Sequence, residues 1–123
     1  MNKIIKIGKD LVGEGQPCHL VAEIGSNFDG SLEKAKELIN LAKESGANSA
    51  KFQSFKTENI ISEYGFRNLK MGFQSKWKKS VANTYKDAEL PREWHKILFD
   101  YCNEKDISFF SSPYDFEAVD LLE

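Results

Sequence analysis

A chain of 123 residues, 41% hydrophobic and 12% aromatic, is long enough to bury one real core and gives no sign of a second domain. Its net charge of -2 and isoelectric point near 5.8 speak against a surface built to neutralise nucleic-acid phosphates. No apolar stretch approaches the roughly 20 residues of a membrane helix, Met1 to Lys9 lacks a signal-peptide pattern, and Cys18 and Cys102, at no metal or redox spacing, read as free thiols of a cytoplasmic protein. Small molecules or proteins, not nucleic acid or a membrane, are therefore the expected partners.

Lys3 to Ile7 is β-rich and partly alternating, and with Gly8-Lys9-Asp10 and Leu11-Val12 it predicts a small hairpin followed by a loop from Gly13 to Pro17. Gly13-Glu14-Gly15 is not read as a phosphate cradle, because no helix follows to lend its N-terminus. A strand is expected from His19 to Ile24, then a turn through Asn27, Asp29 and Gly30. Ser31 can cap the next helix, in which Ala35, Leu38, Ile39 and Ala42 recur at the spacing of one buried face before Gly46 stops it. Ser49 to Phe55 reads as a second strand, about one βα repeat after the first.

Thr57 to Leu90 carries scattered aromatics (Tyr64, Phe66, Phe73, Trp77, Tyr85) and basic residues (Arg67, Lys70, Lys76, Lys78, Lys79, Lys86). Short helices are expected near Glu58 to Ser62 and Ser75 to Tyr85, and an excursion of this length after a strand suggests a lid or substrate wall. Its lysines are expected on a solvated face. Pro91 suits the first turn of a helix whose stripe is Trp94, Ile97, Leu98, Tyr101 and Cys102. His95, just off that stripe, and His19 are expected to be partly exposed and not ligands or bases. Ile107 to Ser111 makes a third strand, after which Asp115 can cap a third helix with Phe116, Val119 and Leu122 as its face. No helix stop or following strand appears by Glu123, and the chain reads as truncated.

Strand residues alternate faces, so parity sorts the positions. Leu20, Ala22 and Ile24 oppose Val21 and Glu23. On the second strand Ala50, Phe52 and Ser54 oppose Ser49, Lys51 and Gln53, and on the third Ile107, Phe109 and Ser111 oppose Ser108, Phe110 and Ser112. One set in each strand is largely apolar and suited to pack under helices. The other ends in a polar residue at the C-terminal end: Glu23, Lys51 with Gln53, and Ser112. That edge is where ligands bind in barrels and open α/β sheets. A Glu23–Lys51 ion pair on neighbouring strands is the purely structural alternative. The site reading makes Lys51 bind an anion, puts Glu23 near the reacting carbon, and uses hydroxyl and amide groups to orient the substrate.

Ala22-Glu23-Ile24-Gly25-Ser26-Asn27-Phe28-Asp29-Gly30, Lys51-Phe52-Gln53 and Phe110-Ser111-Ser112-Pro113 together resemble the sialic acid synthase family, and Ser31 to Ile39 and Glu89-Leu90 extend the likeness over nearly the whole chain. The resemblance implies the first three βα units of a (β/α)8 TIM barrel, residues 18–123, preceded by the hairpin and loop of residues 1–17. A whole barrel needs about 250 residues. The fragment is expected to be inactive alone, with two unpaired sheet edges and an uncovered inner face.

The implied reaction condenses phosphoenolpyruvate with N-acetylmannosamine or a related acylamino sugar. Lys51 matches the family lysine that binds phosphoenolpyruvate, Ser112 stands where a threonine also binds it, Glu23 matches the carboxylate near the reacting centre, and Gln53 and Asn27 match polar positions facing the substrate. Phe28 stands where the family usually has histidine, so a polar contact is lost. A divalent metal, Mn or Mg, is implied for the complete enzyme, with ligands outside this chain and not at His19 or His95. A homodimer is implied for the complete protein. The competing readings are a non-catalytic βα module that binds an anion or a partner, and another phosphate-binding barrel enzyme.

Overall fold

The computed structural model describes residues 3–68 and 72–123. Met1, Lys70 and the side chain of Phe73 lie outside the described residues. Ile5–Ile7 (β1) and Asp10–Val12 (β2) pair antiparallel, Ile5 opposite Val12, as the hairpin pattern predicts. Gly8 forms the tip of this hairpin at φ +56, a left-handed conformation that favours glycine, and a Cβ there would make the Ser108 hydroxyl turn aside.

The hairpin caps the N-terminal end of a second sheet. Asn48 donates from Nδ2 to Asp10 at 2.9 Å, and Lys9 and Lys43 both pair with Asp106. His19 is partly exposed as a residue, as expected, but its side chain turns inward and is only 5% exposed: its Nε2 lies 2.6 Å from Ser49 Oγ and its Nδ1 3.1 Å from Asp10. The reason is the hairpin itself, which folds Asp10 over the start of the sheet.

That sheet is parallel, in the order β3 (Val21–Gly25), β4 (Ser49–Ser54), β5 (Ser108–Pro113). Helix α1 (Leu32–Glu44) connects the first two strands. Ser31 Oγ accepts from the Lys34 amide, and Ala35, Ile39 and Ala42 are buried as their spacing predicts. Between β4 and β5 run α2 (Thr57–Ile60), α3 (Glu63–Asn68), a 3-10 turn at Phe73–Lys76, α4 (Val81–Asp87) and α5 (Trp94–Glu104). The helix expected over Ser75 to Tyr85 is thus split. Ser80 accepts from the Asn83 amide and starts α4 afresh, as a capping serine does. Arg67, Lys76, Lys78, Lys79 and Lys86 lie on the solvated surface.

The core lies on the helix-facing side of the sheet, where Ile24, Ala50, Phe52 and Ile107 meet Ala35 and Ile39 of α1 and Leu98 and Cys102 of α5. Burial pushes the Cys102 thiol up to about 12, so it stays neutral and acts as a small apolar group. Phe28 is completely buried here, its ring 6.3 Å from Phe52 and 6.1 Å from Trp94. The turn after β3 folds it inward as a core residue.

Two helical faces differ from the periodic reading. On α5 the buried positions are His95, Leu98 and Cys102, while Ile97 is exposed, because the stripe is rotated toward the sheet. On α6 (Phe116–Leu122), capped by Asp115 as predicted, Ala118 is buried and Phe116 is 89% exposed. Asp115 receives two bonds from Arg92 Nη2 at 2.8 and 2.9 Å, which tie the start of α6 to the turn before α5 and fix which side of the helix meets the sheet. Leu20 precedes β3 at the sheet edge and is exposed instead of facing α1. Among the described residues no helix is long and apolar enough to cross a membrane.

Candidate active site

The side of the sheet opposite the helices carries the polar parity set. Register places Glu23 beside Lys51 and Lys51 beside Phe110, with Gln53 beside Ser112 one step nearer the C-terminal edge. Lys51 Nζ lies 2.7 Å from Glu23 Oε2, and the two side chains are 34% and 50% exposed. The pair is therefore open to solvent on an uncovered face, where an ion pair contributes at most about 1 kcal/mol to stability. Helix-side neighbours Phe52 and Ser54 are buried, which anchors the strand beneath Lys51 and Gln53.

The end of β3 is shaped by a bulge between Glu23 and Gly25. Gly25 takes φ +58, a left-handed conformation that favours glycine. A Cβ built on it would lie 3.6 Å from Glu23 Oε1, 3.8 Å from Gln53 Nε2 and 3.9 Å from Asn27 Nδ2. Three of the sequence-predicted residues thus converge around one small backbone position. Asn27 also donates from Nδ2 to the Ile24 carbonyl at 2.9 Å, which holds the loop closed over the strand end. Ser26, in the same loop, has a buried hydroxyl with no partner among the described residues.

The arrangement joins a cation, a carboxylate, a carboxamide and, across the β4–β5 register, the Ser112 hydroxyl. It can hold a small anion at Lys51 while Glu23 takes a proton or orients a water nearby. Among the described residues no group of three or more histidine, cysteine, aspartate or glutamate side chains is placed to hold a metal ion.

Sequence reasoning missed one feature near the site. His95, expected to be partly exposed, is 4% exposed and lies against the helix side of the same strand ends, its Nε2 2.6 Å from Ser54 Oγ. The available signal was the spacing of His95 with Leu98 and Cys102, which puts all three on one helical face.

A profile described as the NeuB family matches residues 38–123. The chain is 40% identical over 106 residues to N,N'-diacetyllegionaminic acid synthase of Campylobacter jejuni, covering 84% of this chain and 31% of that protein. It is 35% identical over 113 residues to the human N-acetylneuraminate-9-phosphate synthase, covering 90% of this chain and 31% of the other. The crystal structure of N-acetylneuraminic acid synthetase from Leptospira borgpetersenii, in complex with citrate, is similar with a TM-score of 0.81 and 28% identity, over 99% of this chain and 38% of that one. The chain thus spans 31% of the length of these curated relatives.

Proposed function

The chain belongs to the NeuB family, and on that premise we propose that it is the N-terminal part of a single TIM-barrel domain that condenses phosphoenolpyruvate with an acylamino sugar such as N-acetylmannosamine. The product is a nonulosonic acid of the sialic acid type. One observation carries this reading: the open Glu23–Lys51 pair at 2.7 Å, on the face and near the edge where parallel sheets bind ligands. The same reading places the protein in the cytoplasm, as a homodimer when complete.

In the proposed reaction Lys51 binds an anionic oxygen of phosphoenolpyruvate, and the Ser112 hydroxyl and Gln53 carboxamide fix the molecule's orientation. C3 of phosphoenolpyruvate attacks the aldehyde carbon of the open-chain sugar, whose oxygen takes a proton from solvent to become a hydroxyl; water adds to C2, and the resulting hemiketal releases its hydroxyl proton as phosphate leaves by cleavage of the C–O bond, giving the C2 ketone. Glu23 exchanges its partner Lys51 for that water and accepts its proton. Asn27 keeps the loop beside Gly25 in place. Among the described residues no cluster of side chains is placed to hold the divalent metal implied for the complete enzyme. His19 is engaged at the N-terminal end of the sheet and His95 on its helix side, so no step here runs through a metal.

Glu23→Gln tests the division of labour. In the full-length protein it removes the base but keeps the shape, so phosphoenolpyruvate binding measured by calorimetry is expected to stay within about threefold while kcat falls about a hundredfold. Equal loss of binding and turnover would mark Glu23 as a structural partner of Lys51 only.

A further inference from the structure

We propose that His95 is a positioning residue of this site: through Ser54 and Ser111 it fixes the ends of β4 and β5 so that Gln53 and Ser112 face the substrate. The role rests on the functional reading above, but the network behind it does not. His95 Nδ1 faces the carbonyl oxygens of Pro91 at 3.2 Å and Arg92 at 3.1 Å. Carbonyls only accept, so Nδ1 carries the proton and donates. Nε2 is then the acceptor for the Ser54 hydroxyl at 2.6 Å, and Ser54 Oγ accepts in turn from the Ser111 hydroxyl at 2.5 Å. With a neutral ring, each bond in the chain runs in this one direction. Burial lowers the pKa of His95, outweighing the two backbone bonds that raise it, so the ring stays neutral and Nε2 stays an acceptor.

A buried hydroxyl in an apolar layer costs free energy unless it is bonded. Ser54 is fully buried beside Phe52, and its bonds join a helix to both strands at their C-terminal ends. The strand neighbours of Ser54 and Ser111 are Gln53 and Ser112, which alternation turns to the opposite face and which register sets side by side. Fixing one pair therefore sets the orientation of the other. Phe109 packs edge-on against the imidazole at 6.4 Å and holds its plane.

The test compares His95→Leu with His95→Gln in the full-length protein, because glutamine can offer Ser54 an acceptor at similar reach. Leucine is expected to raise the KM for phosphoenolpyruvate about tenfold, the equivalent of one hydrogen bond, with kcat within about twofold, and glutamine to return KM to within about threefold of the original. Should the leucine variant fail to fold, Ser111→Ala removes only the terminal donor and is expected to raise KM about fivefold. Nitrogen NMR of the His95 ring at pH 7 reads the network without any substrate. The expected state is the neutral tautomer protonated on Nδ1, with an Nε2 resonance that moves in Ser54→Ala. An unchanged KM in these variants, or a ring protonated on Nε2, would overturn the proposal. No turnover of phosphoenolpyruvate, with the tautomer as expected, would bring down the functional reading and the positioning role with it, leaving only the hydrogen-bond network.

Discussion

Lys51→Ala in the full-length protein is expected to lower kcat/KM for phosphoenolpyruvate by at least about a hundredfold and to leave the fold intact. Each hydrogen bond from an ammonium to an anionic oxygen contributes about 1.5–3 kcal/mol, and a tenfold change is about 1.4 kcal/mol. Loss of one or two such bonds therefore accounts for an effect of this size. The cost to stability is small by comparison. Lys51 and Glu23 are partly exposed, so their mutual attraction is screened and the half-exposed Glu23 left behind is solvated. Steady-state kinetics and a thermal melt, run on the same sample, separate the two effects. A melt lowered as strongly as the activity would make the lysine a structural group, and unchanged kinetics would remove it from the site.

Phe28→Ala is expected to do the reverse. Its ring is completely buried between Phe52 and Trp94, and truncating a core phenylalanine costs about 3–5 kcal/mol, part from lost burial and part from the cavity left behind. Urea unfolding should show a lower midpoint with an unchanged slope. Were Phe28 a surface residue facing the substrate, the same change would shift stability by no more than about 0.5 kcal/mol and would act on kinetics instead. The expected result separates the turn's two functions: Gly25 and Asn27 shape the site, and Phe28 locks the turn to the core.

These cases show where the sequence was legible. Strand alternation alone placed Glu23, Lys51, Gln53 and Ser112 on one face, and the register sets Glu23 beside Lys51 and Gln53 beside Ser112. The hairpin, α1 and the cap at Asp115 follow from local signals that act within a few residues. Phe28 was not legible as a core residue, because the direction of a side chain in an irregular turn depends on the fold of that turn and not on a period. His95 was hidden for a related reason. Its partner Ser54 lies on a strand 41 residues before it, and Ser111, which bonds Ser54 in turn, lies on another strand, so only packing brings the three together. Phe116 follows the same logic, since the Arg92–Asp115 bonds set which side of α6 faces the sheet.

The central claim is that Lys51 and Ser112 hold phosphoenolpyruvate on the open face of this sheet, and a crystal structure of the full-length protein with phosphoenolpyruvate tests it most directly. The expected result is an anionic oxygen of the ligand within about 3 Å of both Lys51 Nζ and Ser112 Oγ, with Lys51 drawn away from Glu23. A ligand bound elsewhere, with Lys51 still 2.7 Å from Glu23, would contradict it.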